Sequence, residues 1–517
     1  MHSLLLGVIL AGGGSSPASA LAITAASCTQ QASNSLRFDC TITTDVAAHA
    51  WVKFGDAALS GGCDTIQTTP TATGGTAHTV TMYGMKASTS YEWKAYAAAG
   101  GATTNTACST VTSGALPAVG ATEANLTTFT VSTATPGTPK TNNLLTHWGC
   151  YQTGVGSKRD DLVVLDRSGN VVWYEEPAVD VGYTGGDMTL EAISMSRPDK
   201  HVLTIMNHEI VLEYDLSGNL LTVLCRDDGS GYCPGTTYTP DAFFDDYVHH
   251  DVQRVGTTIW ALSAKSVDVT DTRDCDADVS TTMYPIIVDG LYGFDTSGSV
   301  VTQSEDWDWR EVDTVNYTVA TCAASTYWGT RLSGNDYMHT NSFWIDAADQ
   351  WMFSRHNLSD IVSVDTTASP PVISWELDGS SGGDFTQTGG GYSEVFDGQH
   401  HAHWGPSGDL VLFDNAYPTP TPRGLVMDLD VATMTVTTIN QGTMTDAGGS
   451  TFSCPAGGST VQFSAGGMVA TCPKRSNTTA EFNEFSPSDT AVWKMDLSCA
   501  AGYSPSSLAF RGYPNPW

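Results

Sequence analysis

From Leu21 to about Leu116, short runs in which apolar and polar residues alternate are separated by polar turns, as in Leu36 to Phe38, His49 to Phe54 and Ser90 to Tyr96. Alternation with a period of two marks strands with one face buried, and several such strands at this spacing predict a β-sandwich. After a linker-like stretch from Thr112 to Asn125 the pattern changes. One unit now recurs: a strand, an acidic or glycine turn, and a second strand ending in an aromatic. Asp161 to Trp173 is the clearest copy, Ile210 to Leu220 and Leu291 to Val300 are related, and Ile361 to Leu377, Gly424 to Ile439 and Thr479 to Leu497 are looser, six in all. Each copy reads as the outer hairpin of a four-stranded blade, which cannot bury its own faces and must stack on its neighbours. The pattern therefore predicts an all-β chain, with a small β-sandwich over residues 21–116 followed by a six-bladed β-propeller over residues 117–517.

The first twenty residues stand apart. Leu4 to Ala11 form a short apolar run, and Gly and Ser residues lead to Ala18-Ser19-Ala20, the small-residue pattern that a signal peptidase accepts. Residues 1–20 read as a cleaved export signal. The run is well short of the roughly 20 residues that a membrane span needs, and no later stretch approaches that length, so no transmembrane helix is expected.

Composition agrees with an exported globular protein. The 517 residues carry 22 Lys+Arg against 55 Asp+Glu, a net charge of −33, which opposes nucleic-acid phosphates and anionic membrane surfaces. Only 15% of residues are charged and 41% are hydrophobic, which fits neither disorder nor a coiled coil. Twelve cysteines, none in a CxxC spacing, read as disulfides rather than metal ligands and place the chain in the periplasm or outside the cell. Cys28 with Cys40, Cys225 with Cys233 and Cys454 with Cys472 would each close a short local loop.

Of thirteen histidines, seven fall in four short segments: His249-His250-Asp251, His339-Thr340-Asn341-Ser342, Arg355-His356-Asn357 and Gln399-His400-His401-Ala402-His403. Each segment lies at the start or middle of an expected blade, where inner strands and their loops line a central channel, so the four can converge on one pocket. A lone histidine in a strand is more often a hydrogen-bonded core residue, and His49, His201 and His208 are read that way. On alternating strands His400 and His401 would face opposite sides, leaving His249, His401 and His403 open to structural roles.

Gln399-His400, His250-Asp251, His339-Thr340-Asn341-Ser342 and Ser354-Arg355-His356, in this order, resemble the signature segments of bacterial aryl sulfotransferases. The resemblance runs through about residues 120–517, and Phe353-Ser354-Arg355-His356 ahead of Ile361 to Asp365 is its most specific stretch. It implies a six-bladed propeller that moves a sulfuryl group from a phenolic sulfate donor to a phenol acceptor without a nucleotide or other cofactor. It also implies His400 as the nucleophile that is transiently sulfated. Gln399 to His403 is richer in histidine than the family pattern, which makes His401 a rival nucleophile. In the N-terminal part, Trp51 and Tyr91 resemble the core tryptophan and corner tyrosine of fibronectin type III domains.

The residue types suit this chemistry. By analogy with phosphoryl transfer, sulfuryl transfer passes through a loose transition state with charge on equatorial oxygens, so positioning and donors supply most of the catalysis. Arg355 offers a fixed, permanently charged fork for those oxygens, or else pairs with a carboxylate of this acidic chain. His250 and His339 can donate to the oxygens and pass a proton to the departing phenolate; the sequence leaves open which is the acid. Neutral His400 supplies the lone pair. Asn341, two residues from His339 and so on the same face of a strand, can orient an imidazole or bind an oxygen, and His356 joins it in binding substrate.

Two other readings compete. His250, Asp251, His339 and His400 could hold zinc, copper or iron in a propeller hydrolase, although the sequence gives no strong metal spacing and no metal is assigned. A propeller that binds without chemistry is the third reading. Asp271, Asp274, Asp276 and Asp278 could bind calcium but read better as a solvated loop. Neither a Gly-x-x-x-x-Gly-Lys-[Ser/Thr] loop nor a Gly-x-Ser-x-Gly elbow in a strand-to-helix context is present.

Overall fold

The computed structural model of the protein describes residues 21–517, apart from 60–62, 64–66, 118–125, 127–128, 153–157, 197–198, 270–283, 310–326, 329–330, 333, 337, 346–349, 389–395, 417–420, 476–477 and 506–510. The expected export signal and the acidic loop around Cys275 lie outside the described residues. The chain divides into two compact units, residues 1–115 and 116–517, and both are built almost wholly of β-strands.

In the first unit a three-stranded sheet of Ile23–Gln30, Phe38–Thr44 and Ala77–Met82 faces a sheet centred on His49–Asp56 and Ser90–Ala99. Phe38, Ile42, Val52, Phe54, Met82 and Trp93 fill the space between them. Tyr91 accepts a hydrogen bond from the Lys86 backbone N–H at 2.8 Å through its hydroxyl, the contact expected of a corner tyrosine. Trp51 departs from expectation. Alternation along His49–Asp56 sends Ala50, Val52 and Phe54 inward, so Trp51 lies half-buried on the other face, stacked on Tyr96 with ring centroids 5.5 Å apart, and Trp93 takes the core place.

Among the described residues the second unit contains six sheets of four or five strands, mainly antiparallel and laid out in chain order, and a two-stranded sheet of Cys150–Gln152 with Tyr503–Pro505. Each of the six repeats found in the sequence forms the third and fourth strands of one sheet, as in Asp161–Asp166 with Val171–Glu175 and Thr479–Phe485 with Ala491–Cys499. The turns explain why the repeat is visible. Asp166 Oδ1 accepts the backbone N–H groups of Ser168 and Asn170, both at 2.9 Å, and Gly169 adopts a positive φ of 84° that closes the hairpin. Inner strands such as Asp161–Asp166 are buried on both faces and read as continuous apolar runs, because neighbouring sheets cover them. Val372–Asp378, the fourth strand of its sheet, is buried at only two of its seven positions.

Apolar layers join successive sheets. Met352, Ile361 and Leu377 of the fourth sheet pack with Leu410, Leu412 and Met427 of the fifth. The array also joins first to last: Phe129–Ala134 completes the sixth sheet beside Ala491–Cys499, Tyr513–Pro514 pairs with Asn143–Trp148 of the first, and a disulfide links Cys150 to Cys499. The three local disulfides expected from the sequence are formed, and Cys63 pairs with Cys108. Five disulfides among the described residues fit an oxidising compartment, and among those residues no helix is long and apolar enough to cross a membrane.

Candidate active site

The first strands of the third, fourth and fifth sheets are Tyr247–Val255, Thr340–Ile345 and His400–Trp404. Each is irregular where the histidines lie. Strand pairing slips between Val248 and Val252, between Thr340 and Ser342, and between His400 and His403. His250, His339 and His401 have positive φ of 51°, 49° and 56°. A bulge breaks strict alternation and re-aims side chains, and non-glycine residues held in this region carry local strain of about 1–3 kcal/mol each.

The outcome is a line of rings, buried at His250 and His400 and half-buried at His339 and His356. Centroids of His250 and His339 are 4.8 Å apart, those of His339 and His356 5.6 Å, and those of His356 and His400 4.9 Å. Tyr327 lies beside this line, 4.6 Å from His250 and 5.0 Å from His339, and extends it to His208 at 5.3 Å. Four of the six residues expected at the site, His250, His339, His356 and His400, are thus brought together.

Their electrostatics differ. Burial holds His250 and His400 well below the ordinary imidazole range, helped by His339 for the first and His356 for the second. His356 is lowered to about 4, by burial and by the charge of His339. His339 moves the other way: burial acts to lower it, but Asp336 Oδ2, 2.5 Å from Nδ1, and the Asp289 carboxylate outweigh this and raise it. One imidazole in the line is therefore shifted toward its protonated form and its neighbours toward the neutral form.

The tautomer of His400 is set by its surroundings. Nδ1 donates to Asn415 Oδ1 at 2.8 Å and lies 3.2 Å from Gly398 O, whereas Asn415 Nδ2 donates to Cys454 O and Gly457 O at 2.8 and 2.9 Å. The amide is therefore oriented with its oxygen toward the ring, which leaves the lone pair on Nε2. That lone pair accepts the Gly457 backbone N–H at 3.2 Å. The loop carrying Gly457 needs glycine next to it, since Gly458 has φ of +119° and a Cβ there would lie 2.2 Å from Phe413.

His401 is turned away from this line. Its Nε2 meets the Tyr513 hydroxyl at 3.3 Å, and its ring lies 4.4 Å from that of His403. Asn341 donates through Nδ2 to Gln399 O at 2.6 Å rather than to an imidazole, because the bulge beside it breaks the alternation that would have aligned it with His339; its Oδ1 is buried with no hydrogen-bond partner. Arg355 stands directly across the strand pair from Asp360 and binds it bidentately, Nε to Oδ1 at 2.8 Å and Nη2 to Oδ2 at 2.6 Å. Its guanidinium also lies 5.3 Å from the Trp309 ring and 3.7 Å from Glu376, so the carboxylate-paired alternative is the one formed.

Several site residues were not singled out from the sequence: Asp336, Asn415, Tyr327 and Arg511. Arg511 is buried, pairs with Asp251 at 2.5 Å and donates to His250 O and Asn341 O at 3.0 and 3.4 Å, which ties two first strands together. Only Asn415, one residue past a strand end in the manner of His356, had a positional signal that could have found it.

A metal centre needs converging donors. Among the described residues, the one group of three His, Cys, Asp or Glu donors close enough to share an ion is Cys63, Glu92 and Cys108, and its two cysteines are joined in a disulfide. The imidazole nitrogens of the line do not converge in this way.

An imidazole shifted toward its protonated form, in one line with a tautomerically fixed one shifted toward neutral, is equipment that a group-transfer enzyme can use. The chain belongs to the arylsulfotransferase (ASST) family, whose profile matches residues 207–496, more than half of its length and all four histidine segments. Membership implies an arylsulfotransferase that acts on aryl sulfates. No curated protein matches the chain. Similar solved structures include a putative 6-phosphogluconolactonase from Bacteroides fragilis, with 10% identity over 72% of this chain and 99% of that one and a TM-score of 0.33. A virginiamycin B lyase from Staphylococcus aureus matches with 8% identity over 72% and 99%, at a TM-score of 0.28.

Proposed function

We propose that the six sheets are the blades of a six-bladed propeller, preceded by a fibronectin type III-like sandwich, and that its histidine line moves a sulfuryl group from a phenolic sulfate to a phenol through sulfo-His400. In the first half-reaction the Nε2 lone pair of His400 attacks sulfur. The bond from sulfur to the aryl oxygen breaks, the electron pair leaves with that oxygen, and the His339 imidazolium protonates it. In the second, neutral His339 takes the acceptor's hydroxyl proton, the phenol oxygen attacks sulfur, and the Nε2–S bond breaks. The cycle returns both histidines to their starting states.

The observation that carries this reading is the opposite displacement of His339 and His400 within one line of rings. It supports His339, whose protonated form the Asp336 carboxylate favours, as the acid in preference to His250. Gly457 N–H, which now donates to Nε2, is placed to donate to a sulfuryl oxygen once sulfur takes up that lone pair. His356 and His250 flank the transferring group in this scheme, and Asn341 Oδ1, a buried acceptor without a hydrogen-bond partner, can accept from a phenol hydroxyl but not from the sulfuryl oxygens, which carry no proton. Arg355 is a positioning residue in this scheme: through Asp360 it fixes the strand end from which His356 projects. Disulfides support export to the periplasm or beyond.

The test is nitrophenolate release from nitrophenyl sulfate, with and without added phenol and after chelation. The reading expects release stimulated by phenol, insensitive to chelation, lost in His400→Ala and retained in His401→Ala. Release that ignores phenol and collapses on chelation would replace it with a metallo-hydrolase.

A further inference from the structure

The first strands of the second to sixth sheets finish together, on the side away from the histidine line. Their last residues, among them Met195, Val255, Ile345, Trp404 and Gln462, surround a cavity of about 350 Å³. From His400 to Trp404 the strand runs about 13 Å. The Arg511–Asp251 pair holds strand positions between the two places, since Arg511 binds His250 O and Asn341 O while Gln253 and Trp344 already line the cavity.

The walls are aromatic. Trp344 lies over the His403 ring at 5.7 Å and 33°, and Trp404 and Tyr513 also face the space. Gln462 holds an unsatisfied polar atom. Gln462 is only 8% exposed, and its Nε2 donates to Asp409 Oδ2 at 2.8 Å, which fixes the orientation of the amide. Its Oε1 has no hydrogen-bond partner and sits against Gly405, another wall residue, where a Cβ would come within 2.2 Å of it. A buried acceptor without a donor is costly unless a ligand supplies the donor.

The charge of the lining is equally specific. No Asp, Glu or Lys lines the cavity, burial and the nearby Arg511 hold its His401 well below the ordinary imidazole range, and the one arginine there, Arg254, is held bidentately by Glu213 at 2.6 and 2.8 Å and by Thr296 at 2.9 Å. An anion would find no uncompensated cation, and a sulfate ester has no proton to give Gln462.

We propose that this cavity is a second binding site, for an uncharged phenol whose ring lies between Trp344 and Trp404 and whose hydroxyl donates to Gln462 Oε1. The aromatic walls supply apolar contact and the amide selects an aromatic alcohol over its sulfate. The proposal stands apart from the chemistry assigned to the histidine line, so either can fail without the other.

The experiment is calorimetric titration of phenol, and separately of phenyl sulfate, into the full chain carrying His400→Ala, which removes turnover. Phenol is expected to bind, Gln462→Met to weaken that binding roughly tenfold, and Trp404→Leu to weaken it further. Phenyl sulfate is expected to show no binding that depends on Gln462. The two cavity variants are compared at unchanged melting temperature, and if Gln462→Met does not fold, Trp404→Leu carries the test. Phenol affinity equal to the parent's in the folded variants, no phenol binding at all, or phenyl sulfate binding that Gln462→Met abolishes would each overturn the proposal.

Discussion

Asn415→Leu tests how the nucleophile is prepared. The substitution keeps approximate side-chain volume but removes the 2.8 Å acceptor of His400 Nδ1 and the two donors to Cys454 O and Gly457 O. Two buried carbonyls left without donors cost about 1–3 kcal/mol each, so global stability should fall by about 2–6 kcal/mol. The rate should fall less than complete loss of the tautomer would require, because Gly398 O, 3.2 Å from Nδ1, still accepts its proton. Losing one neutral hydrogen bond of about 1.4 kcal/mol predicts a burst of nitrophenolate roughly tenfold slower, with little change in KM. Asn415→Asp gives the contrasting result. The Asn415 contact already raises His400 against the lowering by burial, and a carboxylate there would raise it further, so the acid limb of the burst rate should move to higher pH in Asn415→Asp and to lower pH in Asn415→Leu. The assay is single-turnover nitrophenolate release as a function of pH. A parent-like burst rate in Asn415→Leu, or acid limbs that move together, would refute the reasoning.

Other consequences follow from the same contacts. Asp336→Asn removes the charge that keeps His339 protonated, so the alkaline limb of turnover, where His339 loses its proton, should move to lower pH; an unmoved limb assigns the acid elsewhere. His356 is neutral in the fold down to about 4 but only to about 6.5 when unfolded, so protons favour the unfolded chain between those values. Its contribution is complete above about pH 6.5 and falls by about 3 kcal/mol as pH drops toward 4, and urea midpoints in His356→Gln should vary less steeply over that range than in the parent. Arg355→Met leaves Asp360 buried and unpaired and should destabilise by about 3–5 kcal/mol. If Arg355 only positions the strand end, the double variant with Asp360→Leu should recover both stability and most of the turnover; stability without turnover would return Arg355 to the transferring oxygens.

Features with a local pattern were legible in the sequence. All six hairpin repeats are third and fourth strands of sheets, and the disulfides closing 8, 12 and 18 residues are formed. The four histidines of the line were visible because they cluster in short segments. Trp51 shows where pattern stops: an alternating strand has two faces, and a one-residue choice exchanges Trp51 for its inward neighbours. Bulges did the same to Asn341. Arg511 comes from the final segment and Asp336 from a two-residue strand, where nothing in the chain marks which distant group they will meet, and Asn415 was marked only by its place one residue past a strand end. The Cys150–Cys499 link depends on Phe129–Ala134 completing the sixth sheet, a pairing across most of the second unit that no local spacing encodes.

The most direct test of the central claim is the covalent intermediate. The protein is mixed with an aryl sulfate without acceptor, quenched under conditions that preserve phosphoramidate-like bonds, and mapped by peptide mass spectrometry. The account predicts one added sulfuryl group on His400, discharged by phenol, unchanged in His401→Ala and missing in His400→Ala. Turnover by the parent with no adduct, or with the sulfuryl group on His401 or another residue, would contradict it.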